Sequence, residues 1–358
     1  MRFLAVLTAL LGIVYAYLAL GWEARGWERA ALAAPFVTIW LVPAVYWVGD
    51  RGRHTRYDEW LHFASYVCMG WLSFAFVLTV LRDLALFATG WQAPTPWLLA
   101  ASVAALGAGA AAAFRGPRVR KVEVPIENLD PALEGLRIVQ ITDLHVGPTI
   151  GERYVRRVVE MANALKPDLV ALTGDMVDGP VSRLGRHVAP LAELEPKERR
   201  FFILGNHEAY AGAGQWIDYF RAQGMHVLLN EYRTLSFGNA SVLVGGVVDP
   251  AAGKPDAEKA FGKNETAALR LLLAHNPKLA PLGERAGFDL QLSGHTHAGQ
   301  FFPWTLAVKL IHGPHVWGLS RSGRMWVYVS AGTGTWGPPV RFGTTPELTL
   351  IRLVRRDA

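Results

Sequence analysis

Four long stretches free of Asp, Glu, Lys and Arg open this chain, at residues 3–20, 30–48, 61–81 and 97–114. Each approaches the roughly 20 apolar residues that cross a bilayer, and Trp and Tyr stand near their ends, as at membrane interfaces. Four such runs in succession are read as transmembrane helices and not as buried core helices. The first is longer than the apolar core of a signal peptide, and no small-residue cleavage site precedes Gly21-Trp22-Glu23, so it too is expected to be a span.

Lys and Arg in short flanks are retained on the cytoplasmic side. Arg2, Arg51, Arg53, Arg56, Arg115, Arg118, Arg120 and Lys121 fall on one face; Arg25, Arg29 and Arg82 fall on the other. The count predicts a multi-pass protein of the cell (inner) membrane, with both termini and everything after the fourth span in the cytoplasm. The expected division is a four-helix transmembrane region over 1–114, a basic juxtamembrane linker over 115–136 and a globular domain over 137–358. The basic cluster suits the anionic headgroups of the lipid bilayer, or a solvated stop signal equally well. The single cysteine, Cys68, lies in the third apolar run, which excludes intrachain disulfides and cysteine-ligated metal sites. No nucleic-acid partner is expected.

After residue 136 the apolar runs shorten, and each ends in polar residues. "LRIVQITDLH" ends in Asp143 and His145, "DLVALTGDMVD" in Asp175 and Asp178, and "RRFFILGNHE" reaches Asn206 and His207. "LRLLLAHNP" carries His275, and "FDLQLSGHTH" ends in His295 and His297. Short runs rich in Val, Ile, Leu and Phe suit strands buried on both faces. Between the first two, Tyr154, Val155, Val158, Val159, Ala162 and Leu165 recur at helical spacing before Pro167; residues 215–223 predict a second helix closed by Gly224, and 225–230 a strand. The alternation predicts an α/β layered domain whose ligands gather beyond the carboxyl ends of its strands, where the five polar tips converge.

The pool is Asp143, His145, Asp175, Asn206, His275, His295 and His297, too many donors for one tetrahedral ion. Mixed nitrogen and oxygen ligands suit zinc, manganese or iron better than calcium or magnesium, and two divalent metal ions sharing a carboxylate would use all seven. The turn Gly294-His295-Thr296-His297 can splay its two imidazoles toward different ions. Two divalent cations against two aspartates leave a surplus of positive charge for a hydroxide and a phosphate ester, so phosphoester hydrolysis fits. Amide hydrolysis by a two-metal aminopeptidase is the competing chemistry, although such sites rely more heavily on carboxylates.

"DLH", "TGDMVD", "GNHE", "AHN" and "GHTH", in this order over residues 143–297, resemble the calcineurin-like metallophosphoesterases. The resemblance implies an α/β fold in which a two-sheet β-sandwich is flanked by helices, four layers in all, here preceded by the four transmembrane helices. It also implies that Asp143, His145 and His297 hold one metal, that Asn206, His275 and His295 hold the other, and that Asp175 bridges them. His207, oriented by Asp178, would face the phosphate or leaving oxygen as stabiliser or general acid, with a metal-bridging hydroxide as nucleophile. A turn residue before Gly179-Pro180 is the plainer reading of Asp178. Members acting on phosphoproteins carry an arginine directly after that second aspartate; Gly179 stands there, which argues against a phosphoprotein substrate. The tail from Ser330 to Leu353 resembles a bacterial, membrane-attached branch, and its Arg341 is a candidate substrate-phosphate contact.

Tethering to a bilayer raises the effective concentration of lipid headgroups at the site. The apolar, Trp-containing segment 301–319 either dips into the membrane interface and admits an acyl chain or packs as a hairpin on the sandwich. His312 and His315 are near enough in sequence to touch substrate; His54, His62, His187 and His226 carry no motif. The favoured reading is a membrane-anchored phosphodiesterase or pyrophosphatase acting on a lipid-linked or envelope-precursor phosphate ester such as UDP-diacylglucosamine. A phosphodiesterase for soluble nucleotides is the alternative within the same chemistry. A sensor or transport module with a degenerate phosphoesterase domain is the alternative of another class, and the intact ligand set argues against it.

Overall fold

The computed structural model describes residues 2–48 and 55–356 and divides into two compact units. Arg51, Arg53 and His54 lie outside the described residues.

The first unit holds four helices, α1 (Arg2–Gly21), α2 (Trp27–Val42), which runs on as a π-helical turn, α3 (Arg56–Thr89) and α4 (Thr95–Phe114). All four are long and apolar enough to cross a membrane. Because α3 outruns its uncharged stretch, Arg82 sits inside a helix and not in a flank. There it bonds Asp83 at 2.6 Å and donates to the Gly21 carbonyl at 2.7 Å, while Tyr17 donates to the same aspartate at 2.5 Å. A partner and a carbonyl make such a charge tolerable in a helical bundle, and they weaken its weight in an orientation count. Residues Gly337–Phe342 also belong to this unit. The Arg341 N–H donates to Gly109 O at 2.9 Å, and Phe342 meets Phe74 ring to ring at 5.4 Å. A side chain at Gly109 would come within 2.5 Å of Val340, so only glycine lets this segment settle.

The second unit is a sandwich. One sheet runs β1 (Arg118–Glu127), β12 (Glu347–Arg356), β2 (Arg137–Ile141), β3 (Leu169–Leu172), β4 (Arg200–Phe202), β5 (His226–Val227); the other runs β10 (Gly318–Ser322), β11 (Met325–Val329), β9 (Leu290–Ser293), β8 (Leu269–Leu273), β7 (Ala240–Gly246), β6 (Glu231–Phe237). Alternation along each strand assigns its faces. Ile138, Leu169, Ala171 and Phe201 point inward against Val242, Leu271, Leu273 and Leu292 of the second sheet. Val139, Ile141, Val170, Leu172 and Phe202 point outward to α5 (Glu152–Ala164), α6 (Val181–Val188) and α7 (Asn206–Ala222). Leu243 and Leu272 face α8 (Ala257–Phe261) and α9 (Ala280–Ala286) on the far side. The expected four layers, helix, sheet, sheet and helix, are therefore present.

Three expectations are corrected. Residues 118–127 are no linker: they form β1, which pairs in parallel with β12 along its whole length. The cause is a period-2 pattern masked by charge, in which Val124 and Ile126 alternate inward between solvated neighbours. The predicted strand over 225–230 shrinks to two paired residues at the sheet edge, whereas the helix expected over 215–223 is the part of α7 that follows its break at Gly212. Segment 301–319 is not a hairpin; it contains α10 (Trp304–His312).

If 118–127 is a core strand, Val124→Asp buries an unpaired carboxyl and lowers stability by about 3 kcal/mol or more. Denaturant unfolding of the full chain in detergent checks this, since a linker would leave the midpoint unmoved.

Candidate metal centre

Five parallel strands end at one place. β2 is followed by Asp143 and His145, β3 by Asp175 and Asp178, β4 by Asn206 and His207, β8 by His275, and β9 by His295 and His297. The chain must turn sharply there, and it does so on left-handed backbone: Asp143, His145, Asp175, His295 and His297 have φ between 50° and 73°. That conformation costs a side-chain-bearing residue about 1–2 kcal/mol, so five such residues in one cluster mark a place where geometry was favoured over stability. Glycines make the close approach possible. A Cβ on Gly294 would lie 2.1 Å from Asp143 Oδ2, and one on Gly205 would lie 2.1 Å from Asp175 Oδ1.

The side chains form overlapping donor groups, one of which joins Asp175 to His145 and His207. Asp143, His145 and His297 form a second and Asp175, His275 and His295 a third, each with its ligand atoms within 4.8 Å of one another. Asp175 Oδ2 stands 3.1 Å from His275 Nε2, 3.9 Å from His145 Nε2 and 4.0 Å from His207 Nε2. Asn206 Oδ1 lies 2.9 Å from His295 Nδ1 and 3.2 Å from His275 Nε2. His145 Nε2 and His297 Nε2 are 3.0 Å apart.

The tautomers follow from what lies behind the rings. His275 Nδ1 faces the Thr173 carbonyl at 2.8 Å; a carbonyl only accepts, so Nδ1 holds a hydrogen and Nε2 is the atom turned into the cluster, free to bind a proton or a cation. His145 Nδ1 is held by Asp178 Oδ1 at 2.7 Å, which likewise turns Nε2 inward. Nitrogen and oxygen lone pairs thus converge with few hydrogens between them. Burial depresses His275, but the Asp175 carboxylate more than offsets this and raises it to about 10; burial and the neighbouring His275 push His295 down to about 3. With no metal counted, the two adjoining imidazoles share one positive charge, held on His275 beside Asp175 and refused on His295; the mixed nitrogen and oxygen donor set is of the kind that divalent cations take.

His207 is more open than His145, His275 or His297, with a fifth of its side chain exposed, and its Nδ1 donates to Asp178 at 2.7 Å. Burial lowers its basicity, but Asp178 and Asp175 outweigh burial and lift it to about 9. Burial would raise Asp178, yet His145 and His207 hold it well below the usual carboxylate range. Exposed Tyr210 and Trp336 flank His207 with ring centroids at 5.8 and 6.1 Å. Of the weaker candidates, His312 packs edge-to-face on His295 at 5.1 Å, His315 is tied to Ser320 at 2.8 Å, and Arg341 is buried in the helical unit. A cavity of about 470 Å³, lined by Arg118, Arg120, Val308, Lys309 and Trp317, contains none of the seven donors and is not the reaction site.

Sequence reasoning gave no role to Glu208, which is fully buried. Its carboxyl accepts backbone N–H groups from Gly205 at 2.8 Å, Asp175 at 2.9 Å, Met176 at 2.6 Å and Val177 at 3.3 Å, and so clamps the β3 loop to the start of α7. Burial and the nearby Asp175 carboxylate raise it to about 7. A signal existed, since Glu208 is the third residue of α7 after its Gly205 cap, the acidic position of a capping box. Asp249 is buried too, with Oδ2 unpartnered.

The profile of calcineurin-like phosphoesterases matches residues 136–299. A transmembrane protein with metallophosphoesterase domain from Danio rerio is 35% identical over 325 residues, covering 82% of this chain and 74% of that protein. The former share exceeds the part of the chain after Phe114, so the likeness extends into the helices. An uncharacterized metallophosphoesterase of Helicobacter pylori is 35% identical over 67% of this chain, which spans 65% of that protein. Another from Aquifex aeolicus is 34% identical over 66% of this chain and 91% of its own length.

Replacing Glu208 by Ala strands several buried N–H groups and lowers stability by about 3 kcal/mol, whereas Gln keeps an acceptor and costs less. Denaturant titration of both variants reads the difference. Gly294→Ala displaces the Asp143 carboxylate, so elemental analysis will find less manganese bound than in the parent.

Proposed function

Because the chain belongs to the calcineurin-like phosphoesterase family, we propose that it is a membrane-anchored, metal-dependent hydrolase of a phosphodiester or pyrophosphate bond. Asp175 Oδ2, set between two histidine-rich donor groups, is the observation that carries this reading. Asp143, His145 and His297 would hold one divalent ion, Asn206, His275 and His295 the other, and Asp175 both. Such a pair supplies water of lowered pKa and charge stabilisation for an in-line displacement.

The chain's own groups do the rest. Asp178 fixes the tautomers of both His145 and His207 through one oxygen. His207, kept cationic at neutral pH and open to the surface, lies where it meets a phosphoryl oxygen and can give its Nε2 proton to a leaving group. Glu208 holds the Asp175 loop so that its carboxylate does not turn away.

For the substrate we favour a lipid-linked phosphate ester, of which UDP-diacylglucosamine is one. Support comes from the four spans and from Tyr210 and Trp336 beside His207, whose exposed faces suit a nucleobase. The same two rings favour a soluble nucleotide as the second reading. The Lys and Arg count supports an inner-membrane protein with its catalytic unit in the cytoplasm.

With manganese, the purified full chain should cleave a chromogenic phosphodiester, and His207→Gln should lower kcat about 100- to 1,000-fold at unchanged metal content. UDP-diacylglucosamine in mixed micelles should be hydrolysed with higher kcat/KM than UDP-glucose. Equal values would defeat the lipid-linked reading while leaving the phosphoesterase reading standing.

A further inference from the structure

The large apolar side chains that the catalytic unit exposes are concentrated beside the metal centre. Phe302, Trp304, Leu306, Leu310, Ile311 and Trp317 come from one segment, and Leu310 is 90% exposed. This segment contains α10, whose inner face is the row Thr305, Val308 and His312. Its outer arc, Leu306, Ala307, Leu310 and Ile311, is as apolar as the inner one, yet water is its neighbour. Lys309 aside, a helix with an apolar outer arc like this one is ordinarily covered, by protein or by lipid.

Charge indicates which. From Leu290 to Pro346 the chain has no Asp or Glu, whereas Lys309, Arg321 and Arg324 are present. Arg120 lies over the Trp317 ring at 4.3 Å, with Glu347 behind it at 3.7 Å. An apolar segment with tryptophans at both ends, an exposed lysine and no carboxylate of its own has the composition of a helix that lies in an anionic membrane interface. A bilayer is always within reach of this chain, because four of its helices can cross one.

We propose that α10 and its flanks, residues 302–317, are a membrane-docking element that sinks its apolar arc among the anionic lipids of the bilayer the chain is anchored in. The element is bolted to the reaction site. His312 packs on the ring of His295, and Thr296 Oγ1, between the paired histidines, donates to Val316 O at 2.6 Å. Docking therefore sets the height of the His295–His297 loop at the level of the headgroups. This surface goes beyond the substrate reading, since an enzyme for soluble substrates can dock in the same way.

The test uses the full chain in nanodiscs of phosphatidylcholine and phosphatidylglycerol. In a Cys68→Ser background, Leu310→Cys carries a nitroxide spin label, and Lys259→Cys on exposed α8 carries the control label. Collision rates with oxygen, which concentrates in lipid, and with a water-soluble nickel chelate are then compared. The docked helix gives a Leu310 label that favours oxygen over nickel, with the order reversed at Lys259. A Leu310 label as open to nickel as the control overturns the proposal, and so does one shielded from both reagents, which would mean that protein and not lipid covers α10. Because Leu310 is exposed, the label leaves the core undisturbed.

Discussion

Everything else in the catalytic unit is arranged around an electrostatic problem: imidazole nitrogens, carboxylates and an amide oxygen are brought face to face at about 3 Å, where they repel unless a proton or a cation lies between them. A fold tolerates this only if something positive occupies the space or the backbone holds the groups in spite of it. Both apply here. The tautomers of His145 and His275 are fixed from behind by Asp178 and the Thr173 carbonyl, so their donor atoms cannot turn away from one another.

The architecture supplies the restraint. Strands buried on both faces stop at one level, and the turns that follow use left-handed backbone at five of the seven donors. Hydrogen bonds lock each turn: Asp143 accepts from His295 N–H and from Thr142, Asp175 accepts from His207 N–H, and Glu208 holds the far side of the Asp175 loop. Each carboxylate thus spends one oxygen on the neighbouring ligand loop. Stability lost to strain is made up in the three apolar layers on either side of the sheets.

The donors were legible in the sequence because each follows a short apolar run, and five buried strands that all finish in His, Asp or Asn bring those groups to one end of the sheets. The layers were legible for the same reason, since periodicity reports burial directly. What escaped notice was whatever charge disguised. Arg118, Arg120 and Lys121 made β1 look like a solvated linker, although Val124 and Ile126 alternate as a strand requires. Glu208 was hidden in the motif that named its neighbours, because a carboxylate beside a cluster suggests a ligand or nothing, and a clamp on backbone N–H groups is seen only when the loops are placed. Arg341 was a candidate phosphate contact from its place in the family-like tail, but long-range packing against α4, which local sequence does not encode, carries it into the helical unit.

The central claim is that seven side chains hold two cations through one shared carboxylate. Electron paramagnetic resonance of the full chain loaded with manganese, with the metal counted by elemental analysis, tests it most directly. The account predicts two ions per chain with an exchange-coupled spectrum that Asp175→Ala abolishes. One ion per chain, or two uncoupled ions in the parent protein, would contradict it.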